Sequence, residues 1–144
     1  MSKENNWVFK NKMEDMKGKE LEDRIRKAFT TKMPPLTLIP FIGQMDEQVT
    51  YYCPELEAVC PVTGLPDNYR LSITFIPDKV IPELKTLKQY LVAFRDLPIS
   101  HEHLYAKIFT EFKKQVQPKS LSMKLTVAPR GGIYTTIEEV KEDE

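Results

Sequence analysis

An α+β fold, with an antiparallel sheet and two helices on one face, is what the sequence predicts, and three observations predict it. Residues 69–76 alternate with the period of a strand, Leu71, Ile73 and Phe75 against Arg70, Ser72 and Thr74. Residues 121–128 alternate again through Leu121, Met123, Leu125 and Val127. Between them lie two stretches of helical period, Leu84, Leu87, Leu91 and Phe94, then Leu104, Ile108 and Phe112. With a strand on each outer side, the core order becomes strand, strand, helix, helix, strand, strand (ββααββ). Such a unit leaves sheet edges exposed, and joining edges between subunits into a closed barrel removes them.

The elements follow in order. Residues 1–12 are polar and expected to be loose. Residues 13–29 turn helical, with Leu21, Ile25 and Phe29 recurring among charges, until Met33-Pro34-Pro35 stops them. Residues 36–43 read as an extended connector. Residues 48–53, rich in Val, Thr and Tyr, form the first core strand. The Pro/Gly-rich loop 60–67 separates it from strand 69–76, which Pro77-Asp78 closes. A helix is expected over residues 82–95, with Pro82 in its first turn. A second begins after Ser100, a suitable N-cap, and ends at Pro118. Arg130-Gly131-Gly132 turns the chain into a last strand, 133–137. The acidic tail from residue 138 is expected to be disordered. These readings divide the chain into an N-terminal extension with one helix (1–46), a catalytic domain (47–137) and the tail (138–144).

The bulk numbers exclude several classes of function. The 144 residues suit one domain, and 21 basic residues balance 21 acidic ones. A net charge of zero argues against direct nucleic-acid or anionic-membrane binding. No apolar run approaches the roughly 18 residues of a membrane helix. The first residues lack a signal-peptide pattern, and Cys53 and Cys60 are the only cysteines. Both facts suit a reducing, cytoplasmic setting. Two cysteines at this spacing do not make a zinc site, and His101 and His103, two apart, point to different sides of a helix.

Cys60-Pro61-Val62-Thr63-Gly64-Leu65-Pro66-Asp67 carries the chemistry most plainly. A tight loop there brings one thiol and one carboxylate together, a nucleophile beside a proton donor, as addition to an electrophilic carbon requires. The plainer readings are a small buried cysteine and an ordinary turn aspartate. Cys53, inside a strand, takes the plainer reading. Ser100-His101-Glu102 is the second constellation. A glutamate in a first helical turn favours the helix dipole, and it is equally able to accept two parallel N–H bonds from a guanine-like edge. A neighbouring histidine can relay protons, whereas His103 reads as a surface or capping residue. Lys85 and Lys88 share a helix face, either solvated or available to the phosphates of a dinucleotide. Arg130, before two glycines, is a further phosphate candidate.

These segments together resemble the short, single-module form of the NADPH-dependent 7-cyano-7-deazaguanine reductases, the nitrile reductases of queuosine biosynthesis, a transfer-RNA modification. The resemblance rests on Cys60-Pro61-x-Thr63-Gly64-x-Pro66-Asp67, Glu83-x-Lys85-x-Leu87-Lys88-x-Tyr90, His101-Glu102 and Pro129-Arg130-Gly131-Gly132. It implies the tunnelling fold, assembled into barrels as a homo-oligomer with active sites between subunits. It implies that Cys60 attacks the nitrile carbon to form a thioimide, that Asp67 donates the proton and that His101 assists. Glu102, with Ser100 beside it, would hold the deazapurine nitrile, the small-molecule partner. Glu83, Leu84, Lys85, Thr86, Leu87, Lys88 and Arg130 would serve NADPH, the cosubstrate, with no metal and no flavin. Leu65, Asn68 and Ser100 depart from the family pattern, with Tyr69 supplying an aromatic one position after Asn68, and these departures fall on base-stacking contacts.

Three other functions share parts of this pattern. The related amidinotransferase acting on transfer RNA shares the Cys, Asp and His-Glu elements but lacks the lysine signature. The zinc cyclohydrolase of pterin synthesis needs metal ligands that this chain does not offer. A non-catalytic binding protein on the same fold would carry an unreactive Cys60.

Overall fold

The computed structural model describes residues 18–43 and 45–140. The expectations for residues 1–12, for the first turn of the N-terminal helix (13–17) and for the end of the acidic tail (141–144) lie outside them. The elements are α1 (Lys19–Thr30), β1 (Leu38–Pro40), β2 (Val49–Val59), β3 (Pro66–Ile76), β4 (Val80–Pro82), α2 (Leu84–Val92), a 3₁₀ turn (Ala93–Asp96), α3 (His101–Val116), β5 (Ser120–Arg130) and β6 (Ile133–Glu138). The main sheet is antiparallel in the order β2-β3-β5-β6, and β1 pairs with β4 as a separate ribbon.

One face of the sheet is apolar because the strands alternate. Leu71, Ile73 and Phe75 on β3 and Met123, Leu125 and Val127 on β5 are all buried. Leu87 and Leu91 of α2, with Leu104, Ile108, Phe112 and Val116 of α3, are buried in the same core cluster. Phe75 meets Phe112 edge to face at 5.3 Å between ring centroids, joining sheet to helix.

Several boundaries differ from expectation for identifiable reasons. β2 runs on to Val59, across Pro54, because it is an edge strand and the register shifts between Cys53 and Leu56. β3 begins at Pro66, so Pro66 and Asp67 belong to a strand and not to the loop. A proline is tolerated as a strand's first residue. Pro82 lies in β4 opposite Leu38, which gives the expected connector 36–43 a short strand of its own. Helix α2 starts after Glu83, whose carboxylate accepts the N–H groups of Lys85 at 2.8 Å and Thr86 at 2.9 Å. Leu84 is exposed, so the apolar stripe of α2 is Leu87, Tyr90 and Leu91, continued by Phe94. The tight turn between β5 and β6 has Gly131 at φ 55° and Gly132 at φ 80°, the left-handed pair that a two-residue hairpin needs.

Helix α1 docks through Ala28, the residue of this helix that is buried, whereas Phe29 stays partly exposed beside His103. The anchor is Lys107, a lysine only 4% exposed in the middle of α3. Its ammonium donates to the carbonyls of Phe29 and Thr31, both at 2.7 Å, and pairs with Glu111 at 3.2 Å. The final carbonyls of α1 thereby gain the partner that a helix end lacks. At the other end of the chain Glu139, expected in a disordered tail, accepts from the hydroxyl of Tyr105 at 2.6 Å and from the N–H of Met123 at 3.2 Å.

Candidate active site

Cys60 stands where β2 ends. The N–H of Cys60 donates to Leu65 O and the N–H of Gly64 donates to Cys60 O, both at 2.9 Å, so the loop folds into a closed turn. Gly64 at φ 73° supplies the left-handed residue that this turn needs. The preceding residue, Val59, exchanges backbone hydrogen bonds with Leu97 and Ile99, each at 3.0 Å. That short parallel bridge brings the segment leading into α3 beside the cysteine loop, with Ser100, His101 and Glu102 at its end. Two constellations far apart in sequence are thus set side by side by backbone pairing.

Asp67 and Tyr69 lie two residues apart on β3, so both project from the buried face. Asp67 is 3% exposed, and its Oδ1 accepts from Arg130 Nη2 at 2.6 Å. Its Oδ2 is buried without a hydrogen-bond partner among the described residues. Arg130 reaches Asp67 from the end of β5, where a register shift after Val127 re-aims the strand. The Tyr69 hydroxyl is 2.8 Å from His101 Nδ1, as donor or acceptor according to the histidine tautomer. Cys60, Asp67, Tyr69, His101 and Arg130 therefore form one group.

Their environments tune them. Burial pushes the Cys60 thiol up, but hydrogen bonds from the Thr63 and Arg130 side chains and from the N–H groups of Thr63 and Val62 outweigh it. The net result lies below the ordinary thiol value, which favours the reactive thiolate. Burial raises the Asp67 carboxyl above the usual carboxylate range, against the opposing pull of Arg130, His101 and the Tyr69 hydroxyl. Tyr69 is driven well above the ordinary phenol value, first by burial and then by the charge of Asp67, and stays protonated.

The remaining expected site residues fall into two places. Glu102 is exposed in the first turn of α3, and the Ser100 hydroxyl bonds to His103 Nδ1. Lys85 and Lys88 are exposed on α2 and make no ion pair among the described residues. Lys88, Leu84 and Leu87 line a cleft of about 540 Å³ between α2 and the outer strand β2, and Arg95 joins them there. None of Cys60, Asp67, His101 and Arg130 lines that cleft. Glu83 and Thr86 are occupied in capping α2, and Leu87 belongs to the core. Arg130, expected with these residues, sits instead on Asp67 and Cys60.

Sequence reading missed two contributors. Tyr69 appeared only as an aromatic near the loop, although the buried alternation 71, 73, 75 extends backward through 69 and 67. Arg95, the last residue of the helix expected over 82–95, lies instead in the 3₁₀ turn and lines the cleft. It pairs with Glu57 at 3.3 Å on the rim of the cleft.

The sheet and its helices define the class, a tunnelling-fold protein. They superpose on the crystal structure of the archaeosine synthase QueF-Like in the apo form with a TM-score of 0.58. That match covers 67% of this chain and 94% of the other at 23% sequence identity, a likeness of fold. The family model described as QueF-like protein matches residues 66–144. The chain is 34% identical over 125 residues to the NADPH-dependent 7-cyano-7-deazaguanine reductase of Elusimicrobium minutum, covering 87% of this chain and 95% of that protein. It is 41% identical over 108 residues to the reductase of the same name from Chloroherpeton thalassium, covering 73% and 93%. The chain belongs to the QueF-like family.

Proposed function

We propose that this protein is an NADPH-dependent oxidoreductase that reduces the nitrile of 7-cyano-7-deazaguanine to the 7-aminomethyl product, within queuosine modification of transfer RNA. The observation that carries this reading is the gathering of Cys60, Arg130 and Asp67, a lowered thiol and a raised carboxyl on one guanidinium. The relatives described above are named for this reaction.

The thiolate of Cys60 attacks the nitrile carbon, forming a C–S bond as one C–N π bond breaks. Asp67 delivers a proton to the nitrogen, and the product is a thioimide on Cys60. His101, bonded to Tyr69, supports further proton movement from the start of α3. Glu102 accepts the N–H donors of the deazaguanine edge, favoured there by the helix N-terminus. NADPH supplies hydride, twice for a nitrile reduced to an amine. The exposed ammonium groups of Lys85 and Lys88 suit its phosphates, and the Leu84–Lys88–Arg95 cleft offers apolar surface beside positive charge. Glu55 and Glu57 also line this cleft, and the Arg95–Glu57 pair offsets one of those carboxylates.

The sites lie between subunits on this reading. The sheet leaves β2 and β6 as open edges, and Tyr52, Leu65, Ile133 and Tyr134 are exposed on or beside them. Edge pairing into a barrel covers these residues and brings a neighbour's surface over Cys60.

Mixing the protein with free 7-cyano-7-deazaguanine and NADPH tests the function. The expected result is consumption of two NADPH per amine formed. A covalent adduct with no NADPH oxidation would instead favour amidinotransfer chemistry.

A further inference from the structure

We propose that Arg130 is a positioning residue that makes Cys60 and Asp67 a single proton-sharing pair, its guanidinium binding the one negative charge the two side chains exchange. The inference rests on the reaction above for its chemistry, but not for its test.

The geometry singles out this arginine. It holds Asp67 Oδ1 at 2.6 Å and lies near enough to Cys60 to pull its thiol down, so one cation acts on both groups. Asp67 is almost wholly buried, yet Oδ2 has no hydrogen-bond partner among the described residues. One carboxylate oxygen is fixed while the other is left free to take and give a proton. A buried acceptor without a partner is costly, and such a cost is retained where the atom has work to do. The tight Gly131-Gly132 turn and the register shift before Arg130 fix the end of β5 that aims the guanidinium.

The chemistry needs such a pair. Free thiol and aspartate groups differ by about 4–5 pKa units, too far apart to trade a proton easily. Here the two are moved toward each other, the thiol down and the carboxyl up, with Arg130 acting on both. In the step itself, the Cys60 S–H proton passes to Asp67 Oδ2 as sulfur attacks the nitrile carbon. The C–S bond forms, one C–N π bond breaks, and the same proton passes from Oδ2 to the nitrile nitrogen. The result is net addition of S–H across C≡N, with Asp67 returned as carboxylate. The negative charge moves from carboxylate to sulfur and back beside a cation already in place, so the site need not reorganise. The lysines of α2 cannot substitute, because they face the cleft and solvent.

The test reads the thiol alone, by the pH dependence of Cys60 alkylation with iodoacetamide in a Cys53→Ser background. Arg130→Gln should raise the apparent thiol pKa and slow alkylation near neutral pH about tenfold, the equivalent of one unit. Arg130→Lys should restore most of the rate, because charge rather than shape is needed. Asp67→Asn should move the profile the opposite way, to lower pH, since the thiolate then has Arg130 to itself. An Arg130→Gln profile that superimposes on its parent would overturn the proposal, as would an upward shift in Asp67→Asn. Should Arg130→Gln fail to fold, the direction in Asp67→Asn decides alone. Loss of the proposed reductase function would show in NADPH oxidation by the parent protein and would leave these profiles unchanged.

Discussion

Cys60→Ala is expected to lower NADPH oxidation with 7-cyano-7-deazaguanine by roughly a thousandfold or more, the scale seen when a covalent nucleophile is removed. The loss should appear in the rate of the chemical step, because Glu102 and the α2 cleft, proposed to bind substrate and cosubstrate, are untouched. The fold should survive. Cys60 is 7% exposed, but the change removes one sulfur atom; the Thr63 N–H loses its 3.5 Å bond to Sγ, while the backbone–backbone bonds that close the loop remain. Steady-state kinetics with a thermal melt checks both halves. Wild-type turnover in this variant would mean that Cys60 is a packed thiol and that the nucleophile lies elsewhere.

Lys107→Met carries the largest expected effect on stability. The substitution keeps the buried stem and removes the ammonium, leaving the carbonyls of Phe29 and Thr31 without this donor and Glu111 without its cation. Breaking a fully buried pair costs about 3–5 kcal/mol. Glu111 retains 26% exposure, which places the expected cost near the lower end, about 3 kcal/mol. Urea denaturation measures it. Because Lys107 anchors α1 to α3, the N-terminal helix should loosen first, seen as faster amide exchange in Lys19–Thr30 than in β3 or β5. A change under about 0.5 kcal/mol, the ordinary range for surface substitutions, would show that α1 docks without this contact.

What the chain reveals before folding follows from the range of each interaction. The two central helices and the strands β3 and β5 were legible because their apolar periods are local and uninterrupted. The cysteine loop and the His101-Glu102 pair were legible because their chemistry is written in adjacent residues. The β1–β4 ribbon was not, since three-residue strands containing proline show no alternation. Asp67 reads as a loop residue because Pro66 punctuates the sequence, and only the pairing of Pro66 with Val59 and of Asp67 with Ala58 shows it to be strand. Lys107 lies on the same helix as Leu104 and Ile108 and looks like part of a solvated face. Its burial depends on carbonyls 76 and 78 residues away. Arg130 is the sharpest case. Beside two glycines it suggested a phosphate ligand, and only the register of β5 against β3 carries it to Asp67.

The central claim is that Cys60 is a nucleophile toward a nitrile. Intact-mass spectrometry of the protein mixed with 7-cyano-7-deazaguanine in the absence of NADPH tests it most directly. The account predicts one adduct of the full nitrile mass per chain, mapped to the Cys60 peptide and absent from Cys60→Ala. An unmodified chain under conditions where NADPH is still consumed, or an adduct that persists in Cys60→Ala, would contradict it.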